Sequence, residues 1–278
     1  MRRVSRDATF TEFRADLEPV CEVDPGEWLL VETWDCFGGE TLAGRSREEV
    51  TPGLGNPATG PLYLRGLAPG DTLRCRIAEI EPGPRGFVGT RSSTKFVEVI
   101  DGFAFFSESL RLSISPMIGV IGVAPAEGSI RTTWPGPHGG NLDTIDIKPG
   151  AKVFLRAQVA GGLLGLGDVH ACQGDGEVAG QGIEIPAEVL LRLDIEDDPL
   201  PIDNPYVIVD GRLSVIASAP TFEECINAAI DDMIRVASAK LCLEADEARM
   251  LISLAGHVRI SQIVNPLMTA RVVMPILW

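Results

Sequence analysis

Histidine is scarce in this chain, and two of its three copies, His138 and His170, sit inside the two most glycine-rich polar segments. The first, WPGPHGGNLDTIDIKPG from 134 to 150, brings His138, Asn141, Asp143 and Asp146 within nine residues. Proline and glycine let such a backbone turn tightly, so several polar side chains converge on one point. Imidazole and carboxylate brought together in this way are metal ligands. The alternative is an exposed turn whose Asn and Asp cap their own backbone. The second segment, GLLGLGDVHACQGDGEVAGQGIE from 162 to 184, spaces Asp168 and His170 at i and i+2. At a strand end both side chains leave the same face and can grip one cation, although a D-x-H pair also occurs as a structural pair in a core. Gln173, Asp175, Glu177 and Glu184 add an amide and three carboxylates, one of them a candidate general base.

Three further groups invite a chemical reading. Asp35, beside the Gly-Gly bend of VETWDCFGGE, is a candidate ligand or a solvated turn. Asn56, ahead of Pro57, offers a paired donor and acceptor for a substrate, or a turn start. Cys172 lies two residues from His170, but no helix N-terminus is at hand to lower its pKa, so it reads as structural. His257 directly follows Gly256 at the end of an expected helix, where a cationic ring suits the helix C-terminus; it is left outside the site.

Those groups need a scaffold, and the pattern between them is that of short strands. Period-two alternation marks the runs 28–33, 73–77, 87–90, 95–99, 153–159, 188–195 and 207–214, punctuated by turns such as Pro69-Gly70, Pro149-Gly150 and Asp210-Gly211. Many short strands predict a mainly β protein, with a sandwich or barrel over 1–215 and not a doubly wound α/β sheet. Residues 216–278 read as an α+β portion packed on that core and not as an independent module. Thr221 and Glu224 form a capping box that starts a helix over about 221–239, a second follows over about 244–255 with Gly256 ending it, and strand-like runs return at 258–264 and 271–277.

Composition narrows the function. With 39 acidic against 24 basic residues the net charge of −15 repels phosphate backbones and anionic lipid, so neither nucleic acid nor membrane is an expected partner. The six cysteines form no CxxC pair, which argues against a zinc ribbon or a dense disulfide scaffold. No apolar run suits a membrane span or a secretory leader, so the expected location is the cytoplasm.

The segments NPATGP (56–61), GVAP (122–125), GPHGGNLDT (136–144) and GDVHACQGDGE (167–177), in this order, resemble the acetamidase/formamidase family. The resemblance runs from about residue 20 to the end, including RISQIV at 259–264. It implies a β-sandwich or jelly-roll-like core with an α+β portion, homo-oligomers, and hydrolysis of a short amide such as formamide or acetamide to the acid and ammonia. It also implies a divalent metal, chiefly zinc. Carried over by motif, His138, Asp143, Asp168, His170 and Glu184 line the site. Read from the residues themselves, Asp35 is a further candidate ligand and Glu184 and Asp175 are the candidate acid–base groups. Asn56, Asn141 and Gln173 are the candidate substrate-binding groups. Two departures stand out: His257 replaces an expected acidic residue, and the N-terminal segment has no histidine. No Ser-Ser-Lys or Cys-Glu-Lys arrangement is evident, which favours water over a side chain as nucleophile. The competing reading is a β-sandwich that binds a metal or small ligand without turning it over.

Overall fold

The computed structural model describes residues 1–90 and 92–278. Two large sheets carry the core. The first has nine strands in the order Arg2–Val4, Trp28–Thr33, Ala187–Ile195, Thr72–Pro82, Lys152–Arg156, Tyr206–Val209, Arg212–Ala219, Met268–Pro275 and His257–Gln262. The second is built around Met117–Gly122, Leu164–His170 and Ala58–Leu64, side by side. Leu29, Val31, Leu73, Ile77 and Val189 of the first sheet share one buried cluster with Leu62, Ile118, Ile121, Leu166 and Val169 of the second. That shared core makes the pair a sandwich.

The two sheets differ in how their sequences show it. Trp28–Thr33 and Ala187–Ile195 alternate buried and half-buried residues, as a sheet with one wet face does. Met117–Gly122 and Leu164–His170 are buried at every position, so period two is absent from them. A smaller sheet, Arg85–Gly89, Thr94–Ile100, Phe103–Phe105 and Arg111–Ser113, stands beside them.

The helices fall close to their expected places. Helix α1, Phe222–Leu241, starts at Thr221 with both halves of the capping box formed and ends at Cys242 in the left-handed conformation. Helix α2, Ala245–Ala255, ends at Gly256. Ala229, Met233 and Val236 of α1 with Ala248 and Ile252 of α2 cover Phe154, Leu213, Val215, Val272 and Met274 of the nine-stranded sheet. Neither helix is long and apolar enough to cross a membrane.

Two expectations change. The run 207–214 is not one strand but a hairpin, Tyr206–Val209 and Arg212–Ala219, because Asp210 and Gly211 both take positive φ, 52° and 70°, as a tight two-residue turn requires. The strand Arg212–Ala219 runs through the expected boundary at 215 and 216 and pairs along its length with Met268–Pro275, so the C-terminal segment continues the main sheet.

Candidate metal centre

The strand Leu164–His170 carries Asp168 and His170 to its end, where Met117 lies opposite His170 in the neighbouring strand. The chain then loops out and returns antiparallel through Ile183 to Ile185: Ala171 N–H donates to Ile183 O and Ile185 N–H to Val169 O. Glu184 is held from the other side by paired backbone bonds with Phe87, at 3.0 and 2.8 Å. Asp143 arrives on the turn after Gly139–Asn141, where the N–H groups of Leu142 and Asp143 both donate to Gly119 O. A Cβ on Gly119 would sit 2.6 Å from Asp143 Oδ1 and 2.8 Å from Asp168 Oδ2, and one on Gly182 would sit 2.7 Å from the His170 ring. Only glycine lets these carboxylates and this imidazole draw together.

Of the eight non-glycine residues with positive φ among the described residues, four belong to the candidate site: Asn56 (47°), Asp143 (43°), Asp168 (54°) and Glu177 (46°). Each such residue costs on the order of 1 kcal/mol, a cost that surrounding structure must offset. Such strain collects where side chains must be aimed.

Three overlapping groups have donor atoms within 4.8 Å of one another: Asp143, Asp168 and His170; His170, Glu177 and Glu184; and Cys36, Asp168 and Glu184. They border a cavity of about 550 Å³, whose wall includes Asn56, Asn141, Asp143, Asp168, Glu177 and Glu184. His170 Nε2 lies 3.2 Å from Glu184 Oε1 and 3.6 Å from Asp168 Oδ1. Gln173 Nε2 donates to the backbone oxygen of Asp143 at 2.8 Å, so its Oε1, 2.7 Å from His170 Nδ1, accepts from Nδ1–H. In the neutral ring that tautomer turns the Nε2 lone pair toward the carboxylates. Asn56 Nδ2 donates to Asp168 Oδ2 at 2.7 Å, and Asn265 Nδ2 to Asp143 Oδ2 at 2.6 Å. Yet Asp143 Oδ1, Asp168 Oδ1, Glu184 Oε2 and His170 Nε2 are buried without a hydrogen-bond partner.

The electrostatics are those of unpaired negative charge out of water. Burial, then Asp168, raises Asp143 to about 6, with His170 and Asn265 working the other way. Burial raises Glu184 to about 8 and, with Asp143 as the next cause, Glu177 to about 10. Burial alone lowers His170, but Glu184 and Asp168 hold it well above the usual imidazole range. Burial is the first cause of each carboxylate's rise, and the crowding of four carboxylates beside one imidazole adds to it; such charge is relieved either by protons or by a cation.

The structure places the other expected residues unequally. Asp35 is buried, with Oδ1 accepting from the N–H groups of Phe37 and Gly39 and Oδ2 left without a partner. Asn141 lines the cavity with a buried, partnerless Oδ1. Gln173 is spent on orienting His170 and is not on the cavity wall. Asp175 is drawn away, accepting from Arg271 at 2.8 Å and lying 3.6 Å from Arg259. His138 stands edge-on to Phe13 with ring centroids 5.3 Å apart, and it belongs to none of the three groups among the described residues. Burial lowers its pKa to about 4, and both ring nitrogens lack partners. His257 is exposed. Sequence reading passed over Cys36, Gly119 and Asn265 and did not single out Glu177. The GDGE motif is the one signal that pointed to Glu177.

A profile described as the Acetamidase/Formamidase family matches residues 123–229. The fold superposes on a solved acetamidase of Bacillus halodurans, 36% identical with a TM-score of 0.95, over 98% of this chain and 97% of that one. It superposes equally, at 0.95 and 37% identity, on a predicted acetamidase/formamidase from the thermophile Thermoanaerobacter tengcongensis, over 99% of this chain and 95% of the other. A Schizosaccharomyces pombe protein named as a formamidase is 24% identical, and this chain spans 60% of that curated relative's length.

Proposed function

The chain belongs to the acetamidase/formamidase family, and from that membership we propose that it hydrolyses the carbon–nitrogen bond of a small linear amide. The products are ammonia and the carboxylic acid, and the nucleophile is water, which a divalent cation such as zinc would activate. The observation that carries this reading is the convergence of partnerless, buried donor atoms: Asp143, Asp168 and Glu184 line one cavity, and His170 lies within reach of their carboxylates. An imidazole nitrogen with carboxylate oxygens is a donor set that suits zinc. Such an ion supplies Lewis acidity toward a carbonyl oxygen and brings the pKa of a coordinated water to about 7.

The chain's own residues do the rest. Asp143, Asp168 and His170 hold the ion; Gln173, Asn56 and Asn265 fix their orientation. Asn141 Oδ1 accepts from the substrate N–H₂. An amide resists hydrolysis because its nitrogen leaves only when protonated, and Glu177 and Glu184 stand on the cavity wall to carry a proton to it. Glu177 takes the place expected for Asp175, whose carboxylate is held by arginine. The proposal includes action in the cytoplasm, which six free cysteines suit, and assembly as a homo-oligomer.

The test is ammonia release from formamide and acetamide with elemental analysis, before and after chelation and zinc restoration. Near-stoichiometric metal with activity lost and regained supports the reading. Full activity without metal removes the cation from the mechanism, and metal without ammonia moves the function toward binding. The cavity also favours a second substrate range. Acetamide fills on the order of three water volumes of about 30 Å³ each, against about 550 Å³ here, with Phe37, Val178, Ile263 and Val264 on the wall. The panel therefore extends to longer acyl amides.

A further inference from the structure

Cys36 stands apart from the other five cysteines. It is buried, yet it lines the cavity, and its Sγ belongs to a group with Asp168 and Glu184 in which all donor atoms lie within 4.8 Å. Each of those two carboxylates keeps one buried oxygen with no partner, Asp168 Oδ1 and Glu184 Oε2. Gln181 Nε2 donates to Sγ at 3.4 Å, and Gln181 is itself on the cavity wall. The backbone fixes the thiol in place: Asn56 N–H donates to Cys36 O at 2.8 Å, and Asp35 Oδ1 caps Phe37 and Gly39 on the following turn. A cysteine serving only as a small core hydrophobe needs neither an amide donor at sulfur nor two carboxylates beside it.

We propose that Cys36 is the thiolate ligand of a second cation subsite, which shares Asp168 and Glu184 with the subsite of His170. The proposal rests on the metal reading above and deepens it. Six side chains, Cys36, Asp143, Asp168, His170, Glu177 and Glu184, offer more donors than one tetrahedral ion takes. Carboxylates common to two groups are what a two-ion site requires. The thiol proton leaves to solvent when the cation binds. The subsites differ in character, because thiolate favours softer ions than a set of imidazole and oxygen does. With Glu184 engaged between the subsites, Glu177 remains to carry the proton to the leaving nitrogen.

Cobalt(II) added to metal-free protein reads this directly. The expected result is two ions per chain by elemental analysis and a sulfur-to-cobalt charge-transfer band in the near ultraviolet. Cys36→Ser should fall to one ion and lose the band. Cobalt bound without the band, at a stoichiometry that Cys36→Ser leaves unchanged, overturns the second subsite and leaves the metal reading standing. Failure of cobalt and zinc to bind at all overturns both. The wild-type spectrum needs no variant, so a poorly folding Cys36→Ser protein does not blunt the test.

Discussion

Two clusters of charge, one around the buried Arg271 and one around the buried His170, are built on opposite principles. Arg271 has no exposed surface, and each of its side-chain nitrogens has a partner: Nε with Asp146 at 2.8 Å, one terminal nitrogen with Asp175 at 2.8 Å, the other with Ser261 Oγ at 3.1 Å. Ser214 Oγ donates to the same Asp146 oxygen at 2.7 Å. The cavity holds Asp143, Asp168, Glu177 and Glu184 against one imidazole, with partnerless atoms on three of those carboxylates and on the ring. The first cluster is complete within the protein and works as a fastener, tying the last strand of the main sheet to the two segments that bear Asp143 and Glu177. The second leaves buried atoms without partners inside the protein. Buried charge alone therefore says little about function, whereas buried charge left unsatisfied on a strained backbone says much.

Neutralising one member of each cluster separates them most sharply. Glu184→Gln is expected to lower kcat/KM for the amide substrate by about a thousandfold, equivalent to ~4 kcal/mol, while making the metal-free protein more stable at pH 8. The amide copies the neutral form that the site already favours. Arg271→Ala should do the reverse of that second effect, costing roughly 3 kcal/mol of stability because a fully buried side chain is removed together with its packing and its bonds to Asp146, Asp175 and Ser261. Urea unfolding of both metal-free variants checks the pair. If Arg271→Ala proved as stable as the parent, the fastener reading would fail.

How much of this was legible in the sequence follows from where contacts come from. Asp168, His170 and Glu184 could be read because they lie within one short segment, and Asp143 because it shares a glycine-rich turn with a histidine. Cys36, Glu184 and Asn265 meet only after three distant stretches fold together, and no local pattern announces that. Asp175 misled through its neighbours: it lies two residues from Glu177, but its side chain goes to Arg271, whose position in sequence is remote. Alternation exposed the strands with one wet face, such as Trp28–Thr33, and was silent on Met117–Gly122 and Leu164–His170, which are buried throughout. The helices were legible to within a few residues because their caps are local chemistry.

Acidity offers a gentler probe of the same contrast. Glu184 is raised by burial from 4.5 to about 8 in the metal-free cavity, so between those values the folded protein holds a proton that the unfolded chain has released. The stability this supplies is complete below pH 4.5 and is lost as pH rises toward 8. Metal-free protein should therefore unfold at lower urea at pH 8 than at pH 5.5, with the slope reduced in Glu184→Gln and abolished by zinc. His138 runs oppositely: lowered by burial from 6.5 to about 4, it removes stability as pH falls through that window. A metal-free protein whose stability rose from pH 5.5 to 8, with no difference in Glu184→Gln, would mean that the carboxylates are not confined as described.

The smallest effect expected is also the most discriminating among the cysteines. Cys172 is only two residues from His170, and a thiolate mechanism would choose it. But it is half-buried with its pKa raised by that burial, and it lies off the cavity wall and outside all three donor groups. Burial raises a thiol's pKa by penalising the thiolate, the form a nucleophile needs. Cys172→Ser should thus change kcat/KM less than about twofold, equivalent to roughly 0.4 kcal/mol. A loss of a hundredfold with fold and metal content intact would place sulfur, and not water, at the carbonyl carbon. The contrast between a paired and an unpaired charge cluster would then no longer explain the chemistry, because the attacking atom would sit outside both.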